Sequence, residues 1–456
     1  MVAGEPLLSV DADRRSVLLG EHDDGGVEAR APRRPSRRRR YVRRAVVVLV
    51  VVLIPVGYSY GRALTGPGND SLQARSVEWA REHHLGGVVD RVEKYYYANH
   101  QAKVGGTPDS AADQLKLQAG AADGASASVT TVADPQAGAG PGTTVAGSAM
   151  TGSANVSLPN VADAQTATVL PPESGSSGAP VNPPPPLISP VTSPVAGEGN
   201  WRGLGPQISG RYGAYATLIR PDTVHTSVLD AVIWVDPRML SLRQYPGQKI
   251  PGAPWDRPDF VEPQRQRSLV AAFSGGFRLQ DSHGGMFLGG TELRPLRNGG
   301  ATLVIDQHGV PNIGMWGRDF TATDGLDSAR QNLDLIVDNG AVAPRLTTDL
   351  NRTWGFTGPA NRDAVWRSGA GVTADGAFVW VGGDGLSISA LAETLVRAGA
   401  VRGMQLDINR EWVQFNTYST DGTGVVHGRR LLTGMEHSDD RYLSEDTRDF
   451  LAILQK

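Results

Sequence analysis

The chain has 456 residues, 40% of them apolar and 20% charged, with a formal net charge of -3 and not one Cys. The lack of Cys excludes disulfides, thiolate zinc sites, iron–sulfur clusters and Cys nucleophiles. The near-neutral charge gives no global case for nucleic-acid binding. Aromatic residues are missing from Met1 to Arg40 and again from Gln101 to Asn200. Neither stretch can build an aromatic-containing core, which leaves about 255 residues, from Trp201 onward, for a globular body.

In chain order, residues 1–44 form an Arg-rich tail that ends in the dense run Arg33, Arg34, Arg37 to Arg40, Arg43 and Arg44. Residues 45–61 follow with no charged side chain before Arg62. The sixteen residues Ala45 to Tyr60 span about 24 Å as a helix, short of a hydrocarbon core of about 30 Å. Snorkelling Arg44 and Arg62 and the interfacial Tyr58 and Tyr60 make up the difference. No small-residue cleavage site follows Tyr60, so the reading is a signal-anchor helix, not a removed signal peptide. Arginines ahead of the span place the N-terminus in the cytoplasm and everything after Arg62 outside the cell membrane.

Residues 70–100 read as a helical stalk. Ser71 caps a helix to about His84, Gly86 and Gly87 break it, and a second helix covers Val88 to Asn99. Residues 101–200 are dominated by Ala, Gly, Ser, Thr, Pro and Val, with the run Pro183 to Pro186 near the end. That composition buries too little surface to offset chain entropy and reads as a disordered linker.

In the body, buried strands are expected at Val228–Val235, Leu269–Phe273, Ala301–Ile305, Leu333–Val337, Ala377–Val381 and Gly403–Asp407. Turn signals at Gly299-Gly300, Asn339-Gly340 and Asp375-Gly376 separate them. One helix runs from Ile388 to Ala398, capped by Ser387 or Ser389 and stopped by Gly399. A second is expected over Glu445–Leu454, begun by Ser444. Many strands with few helices give an α+β class with a mixed β-sheet over residues 201–456.

Three places carry candidate chemistry. Ser274-Gly275-Gly276-Phe277 follows a strand, where paired glycines allow close backbone approach to a ligand and can aim amides at an anion. Trp366-Arg367-Ser368-Gly369-Ala370-Gly371 offers a guanidinium fork suited to phosphate oxygens, with small neighbours that leave room for a ligand. Leu406-Asp407-Ile408-Asn409 puts a carboxylate at the end of a buried strand. Each also has a plain reading: a tight turn, an ordinary ion pair, a strand terminator. The five body histidines have no metal-ligand spacing, and His-Glu-x-x-His and Gly-x-Ser-x-Gly are absent. The sequence requires no cofactor; Asp281, Asp306 and Asp384 leave room for a divalent cation, without a spacing that argues for one.

Taken in order, these blocks resemble the phosphodiester glycosidase family. Its members read Asn-Gly-Gly-Phe/Tyr-Phe, Arg-Thr-Ala-Ile-Gly and Asn-Leu-Asp-Gly-Gly-Gly-Ser where this chain has Ser274 to Arg278, Arg367 to Gly371 and Gln405 to Glu411. Leu335 to Gly340 resembles the segment before the Arg block. The resemblance spans about Asp230 to Tyr418 and implies hydrolysis of the anomeric bond of a sugar-1-phosphodiester; the expected location outside the membrane points to a cell-envelope glycan or related conjugate as its source. It implies catalytic roles for Asp407 and Arg367, with Asp338 as a weaker carboxylate candidate. Substrate contacts fall to Ser274, Gly275, Gly276, Phe277, Ser368, Asn409, Arg410 and Glu411. The family's glycine triplet is replaced by Ile408, Asn409 and Arg410, which reshapes the pocket. The rival is a non-catalytic glycan-binding module in which Trp255, Trp316, Trp354, Trp366 and Trp412 stack on sugars.

Overall fold

A computed structural model describes residues 37–66, 70–108, 179–252, 255–348, 354 and 364–456. The chain divides into two compact units, Met1–Ser59 and Tyr60–Lys456. In the first, the helix α1 begins; it runs over Arg37–Thr65. Its stretch Tyr41–Thr65 is long and apolar enough to cross a membrane, and none of it is buried within the protein. The helix is longer than the expected span of 45–61 because its arginines continue it in register.

The second unit opens with a helical hairpin, α2 (Leu72–Glu82) and α3 (Gly86–Asn99). Ser71 caps α2, accepting from the amide of Ala74 at 3.0 Å. The expected break at Gly86-Gly87 falls instead at His84, which takes a left-handed backbone (φ 62°). The two glycines start α3. The stalk is built onto the body: the Ser71 hydroxyl donates to Glu411 at 3.0 Å, and Arg448 donates to Glu78 at 2.9 Å.

Of the segment expected as one linker over 101–200, residues 109–178 lie outside the described residues. Both described ends are tied to the body. The amide of Gly105 donates to the Val224 carbonyl at 2.7 Å. Asn182 reaches the Tyr212 carbonyl and Asp236, and the Trp201 indole donates to the Pro185 carbonyl. Glu198 and Arg220 form a buried ion pair at 2.8 Å. Composition hid this because one Glu and one Asn, not an apolar run, fix the segment.

Eighteen strands follow among the described residues. The first five are β1 (Arg202–Ile208), β2 (Arg211–Ile219), β3 (Asp230–Val235), β4 (Leu240–Tyr245) and β5 (Leu269–Ser274). Then come β6 (Met286–Leu288), β7 (Thr291–Arg294), β8 (Ala301–Asp306), β9 (Pro311–Met315), β10 (Leu326–Gln331), β11 (Leu335–Asp338) and β12 (Ala341–Val342). The last are β13 (Val365–Thr373), β14 (Phe378–Leu386), β15 (Ala400–Ile408), β16 (Phe415–Thr420), β17 (Val426–Arg430) and β18 (Phe450–Gln455). The one longer body helix is α4 (Ile388–Arg397). They form an eight-stranded sheet, β1-β2-β3-β14-β13-β15-β11-β12, and two five-stranded sheets, β7-β6-β10-β8-β9 and β17-β16-β5-β18-β4. The α+β class with few helices holds, and the ladders between these strands are antiparallel.

The main core lies where the sheets meet. Ile233, Trp380 and Met404 of the large sheet pack with Phe273, Phe415, Leu451 and Ile453 of the β18 sheet. The other face of the large sheet is covered by α4, whose Leu391 and Leu395 are fully buried. Ser387 caps α4, accepting from the Ala390 amide at 3.1 Å. Glycines in the strands let the helix sit close: a Cβ at Gly369 would lie 3.2 Å from Leu391, and one at Gly371 3.3 Å from Leu395. The room expected beside Arg367 for a ligand is thus partly taken by α4.

The helix expected over Glu445–Leu454 does not form. Phe450–Gln455 is instead a strand, paired on one side with β4 and on the other with β5. Phe450 to Ile453 are fully buried. A run of adjacent apolar residues suits a strand packed on both faces, whereas a surface helix would bury only one stripe.

Candidate functional site

Asp407 stands near the end of β15 and is 1% exposed. The strand is held there by its own backbone: the Asp407 amide donates to the Ser368 hydroxyl at 3.1 Å. Asn332, just past β10, donates to the carbonyls of Gln405 and Leu406 at 2.6 and 2.7 Å. Burial pushes the Asp407 carboxyl up to about 7, against the pull of Arg448, Arg330 and Arg441 and with a further push from Asp449. Its Oδ1 has no hydrogen-bond partner among the described residues.

The Gly-Gly turn comes to the same place. The amide of Gly275 donates to the Asp449 carbonyl at 3.0 Å, and a Cβ on Gly275 would lie 2.3 Å from the Asp449 carboxylate. Gly276 (φ 124°) faces the Leu406 carbonyl and Asn332. No side chain fits at Gly275 without displacing Asp449, so the glycine is needed for close approach. Ser274 shares a hydrogen bond with the Tyr442 hydroxyl at 3.2 Å. The Phe277 ring packs against Val365 and Ile408.

Around these lies a buried ionic network that sequence reading missed. Arg330 donates to Asp449 at 3.0 Å and also to the Phe277 carbonyl. Gln244 donates to the same carboxylate at 3.0 Å. Arg441 pairs with Asp446 at 2.6 Å, both side chains 1% exposed. Burial works against the Asp446 charge, but Arg441 and the Arg448 amide hold its carboxyl below the usual range. The Arg448 guanidinium carbon sits over Trp412, 3.2 Å from the ring centroid, a cation–π contact. The signal was in the sequence: Asp446-Thr447-Arg448-Asp449 stands directly ahead of the apolar run that forms β18. It was read as the first turn of a helix.

The other expected residues are more scattered. Ser368 touches Asp407 through its amide, as above. Arg367 is fully buried and donates to the carbonyls of Leu386 and Trp354 at 3.0 and 2.9 Å. Asp338 pairs with Arg318 at 2.7 Å and Arg402 at 3.2 Å. It sits opposite Arg402 in the ladder, so it is about 16 Å along β15 from Asp407. The structure does not bring Asp338 to that carboxylate. Asn409 adopts a left-handed backbone (φ 78°). Arg410 turns outward to Glu436 at 3.0 Å. Glu411 accepts from Ser71, and burial raises its carboxyl above the usual range. The tryptophans do not share one pocket: Trp354 is in the core under α4, Trp316 in that of the β8 sheet, and Trp255 beside Leu279 and Met286.

Between the helical hairpin and the turn after Asp407 lies a cavity of about 380 Å³, lined by Val77, Val88, Val92, Asn409, Glu411 and Trp412 among others. Among the described residues no group of three or more His, Asp or Glu converges as a metal site.

No family model matches the chain, and no curated protein matches it. Among solved structures it is similar to the zebrafish N-acetylglucosamine-1-phosphodiester alpha-N-acetylglucosaminidase catalytic domain auto-inhibited by its pro-peptide, at 14% identity and a TM-score of 0.36, covering 56% of this chain and 87% of that one. It is also similar to a hypothetical protein of Synechocystis, at 11% identity and a TM-score of 0.32, covering 56% of this chain and 61% of that one. A third likeness is to a protein described as exported from Burkholderia pseudomallei, at 13% identity and a TM-score of 0.28, covering 52% and 74%. One of the three is a glycosidase catalytic domain, and none of these likenesses bears on the chemistry of the site.

Proposed function

We propose that the protein is a membrane-anchored, extracytoplasmic hydrolase that cleaves the anomeric C–O bond of a sugar-1-phosphodiester, with an envelope glycan as substrate class. One observation carries the reading: a buried carboxylate with a pKa near 7, Asp407, faces Arg448, Arg330 and Arg441 beside the Gly275-Gly276 turn. A carboxyl poised at neutral pH suits proton transfer, and clustered guanidiniums suit a leaving phosphate. Water adds to the anomeric carbon and gives its proton to Asp407. The bond from that carbon to the bridging oxygen breaks, and the electron pair leaves on the phosphate. The products are a free sugar and a phosphomonoester, reached through an oxocarbenium-like transition state. The anchor is α1, with its arginines on the cytoplasmic side.

The test is sugar release from a panel of sugar-1-phosphodiesters by the full chain in detergent, with and without divalent cations. Turnover that falls in Asp407→Asn while the variant stays folded supports the hydrolase. Saturable glycan binding without turnover would replace it with the non-catalytic binding module. For the anchor, single Cys residues placed in this Cys-free chain at Ser16 and Ser419 report sidedness. Labelling of position 419, and not of position 16, by a membrane-impermeant thiol reagent is expected on intact cells.

A further inference from the structure

The network around Asp407 is completed by the helical hairpin. Two acidic side chains of the N-terminal segment reach the C-terminal cluster. Thr447 donates its hydroxyl to Asp70, and Arg448 donates to Glu78 at 2.9 Å. All four residues are buried, and the Arg448 and Glu78 side chains are 10% and 7% exposed. Some polar atoms beside them still lack partners: the donors Arg448 Nε and Arg441 Nη1 and the acceptor Asp70 Oδ1 are buried without a hydrogen bond among the described residues.

The hairpin is held mainly by polar contacts. Among the described residues Ala74 and Val89 are its buried apolar ones, whereas Leu72, Val88 and Val92 are more than half exposed and a cavity lies under it. Buried ion pairs recover little more than their own desolvation cost, so a segment held this way is displaceable by another anion. We propose that Thr447 and Arg448 form the subsite for the phosphoryl group of the substrate, and that Asp70 and Glu78 fill it as carboxylate stand-ins until the hairpin moves aside. Two carboxylates from different residues supply oxygens to a hydroxyl and a guanidinium at once. The Trp412 ring holds the Arg448 guanidinium in place by a cation–π contact before the ligand arrives. This deepens the reading of Asp407 as the reacting carboxylate and supplies its leaving-group site.

The experiment is equilibrium binding to the full chain in detergent, by calorimetry, with inorganic phosphate, dimethyl phosphate and glucuronate as probes. With the hairpin closed most of the time, apparent affinity is lowered by the fraction open. The double variant Asp70→Asn with Glu78→Gln should bind dimethyl phosphate at least about tenfold more tightly than the unaltered chain, which places the open fraction at about one tenth or less. Adding Arg448→Ala should remove that gain; Arg448→Lys, which keeps the charge but not the fork, should restore part of it and serves where the alanine variant is unfolded. A folded double variant with unchanged affinity would overturn the proposal, as would glucuronate binding more tightly than either phosphate probe. Binding is read without turnover. Phosphate binding in an inactive chain leaves the subsite standing and removes the hydrolase; turnover without any change in phosphate binding does the reverse.

Discussion

Glu198 and Asp407 are both buried carboxylates near arginine, yet their environments push them in opposite directions. At Glu198 burial disfavours the charge, but Arg220, Ser189 and the amides of Arg220 and Val195 all donate to it, and its carboxyl falls below the usual range. At Asp407 burial dominates, the guanidiniums act from a distance without bonding it, and the carboxyl rises to about 7. The first is a completed lock that fixes the end of the linker to β2. The second keeps unmet hydrogen-bonding capacity beside orphaned donors. Burial alone therefore does not mark a site; what marks one is burial left unsatisfied.

Five measurements break or sharpen that contrast. Asp407→Asn should lower turnover by about 10²–10⁴-fold, the usual range for a lost general base, and Arg220→Ala should leave turnover per folded molecule unchanged. Equal loss in both would erase the distinction. In stability the order reverses. Arg220→Ala strands a buried Glu198 and should cost about 3–5 kcal/mol in denaturant unfolding.

The pH dependence separates the two carboxylates further. Asp407 has a folded pKa raised above its unfolded value, so its stabilising contribution is complete below about pH 4 and is lost as pH rises through about 7. Glu198 is lowered, so its contribution is present above the unfolded carboxylate range and is lost in acid as pH falls through the folded value. Thermal scans at pH 8 should therefore show Asp407→Asn melting higher than the parent by at least about 2–4 °C, the shift for 1 kcal/mol in a body of this size, and the gap should close toward pH 5. Activity should rise with pH about an apparent pKa near 7. The smallest effect is expected away from both places: Ser387→Ala removes the cap of α4 and should cost about 1 kcal/mol with no change in activity.

Legibility in the sequence followed the range of the interaction. α4 was readable because its cap, apolar stripe and terminating Gly399 lie within one short segment. The turn at Asn339-Gly340 was readable because both residues take the left-handed backbone that this pair favours. Asp407 and Gly275-Gly276 were visible as chemistry at strand ends. Arg330 and Asp449 were not, since neither stands out locally and they meet only because β18 lies beside β5 in one sheet and Arg330 closes β10 in another. The misread helix at Glu445–Leu454 has the same origin: Ser444-Glu445 imitates a helix start, and only the sheet position of β18 overrules it.

The position of β18 also bears on how the protein comes into being. Phe450–Gln455 threads between β4 and β5, strands made some two hundred residues earlier, and it carries Arg448 and Asp449 on its leading end. Such distant pairing forms late. Until β18 docks, Asp407 has Arg330 of β10 in the chain but not Arg448 in place beside it, so the full electrostatic setting of that carboxylate arrives with closure of the last sheet.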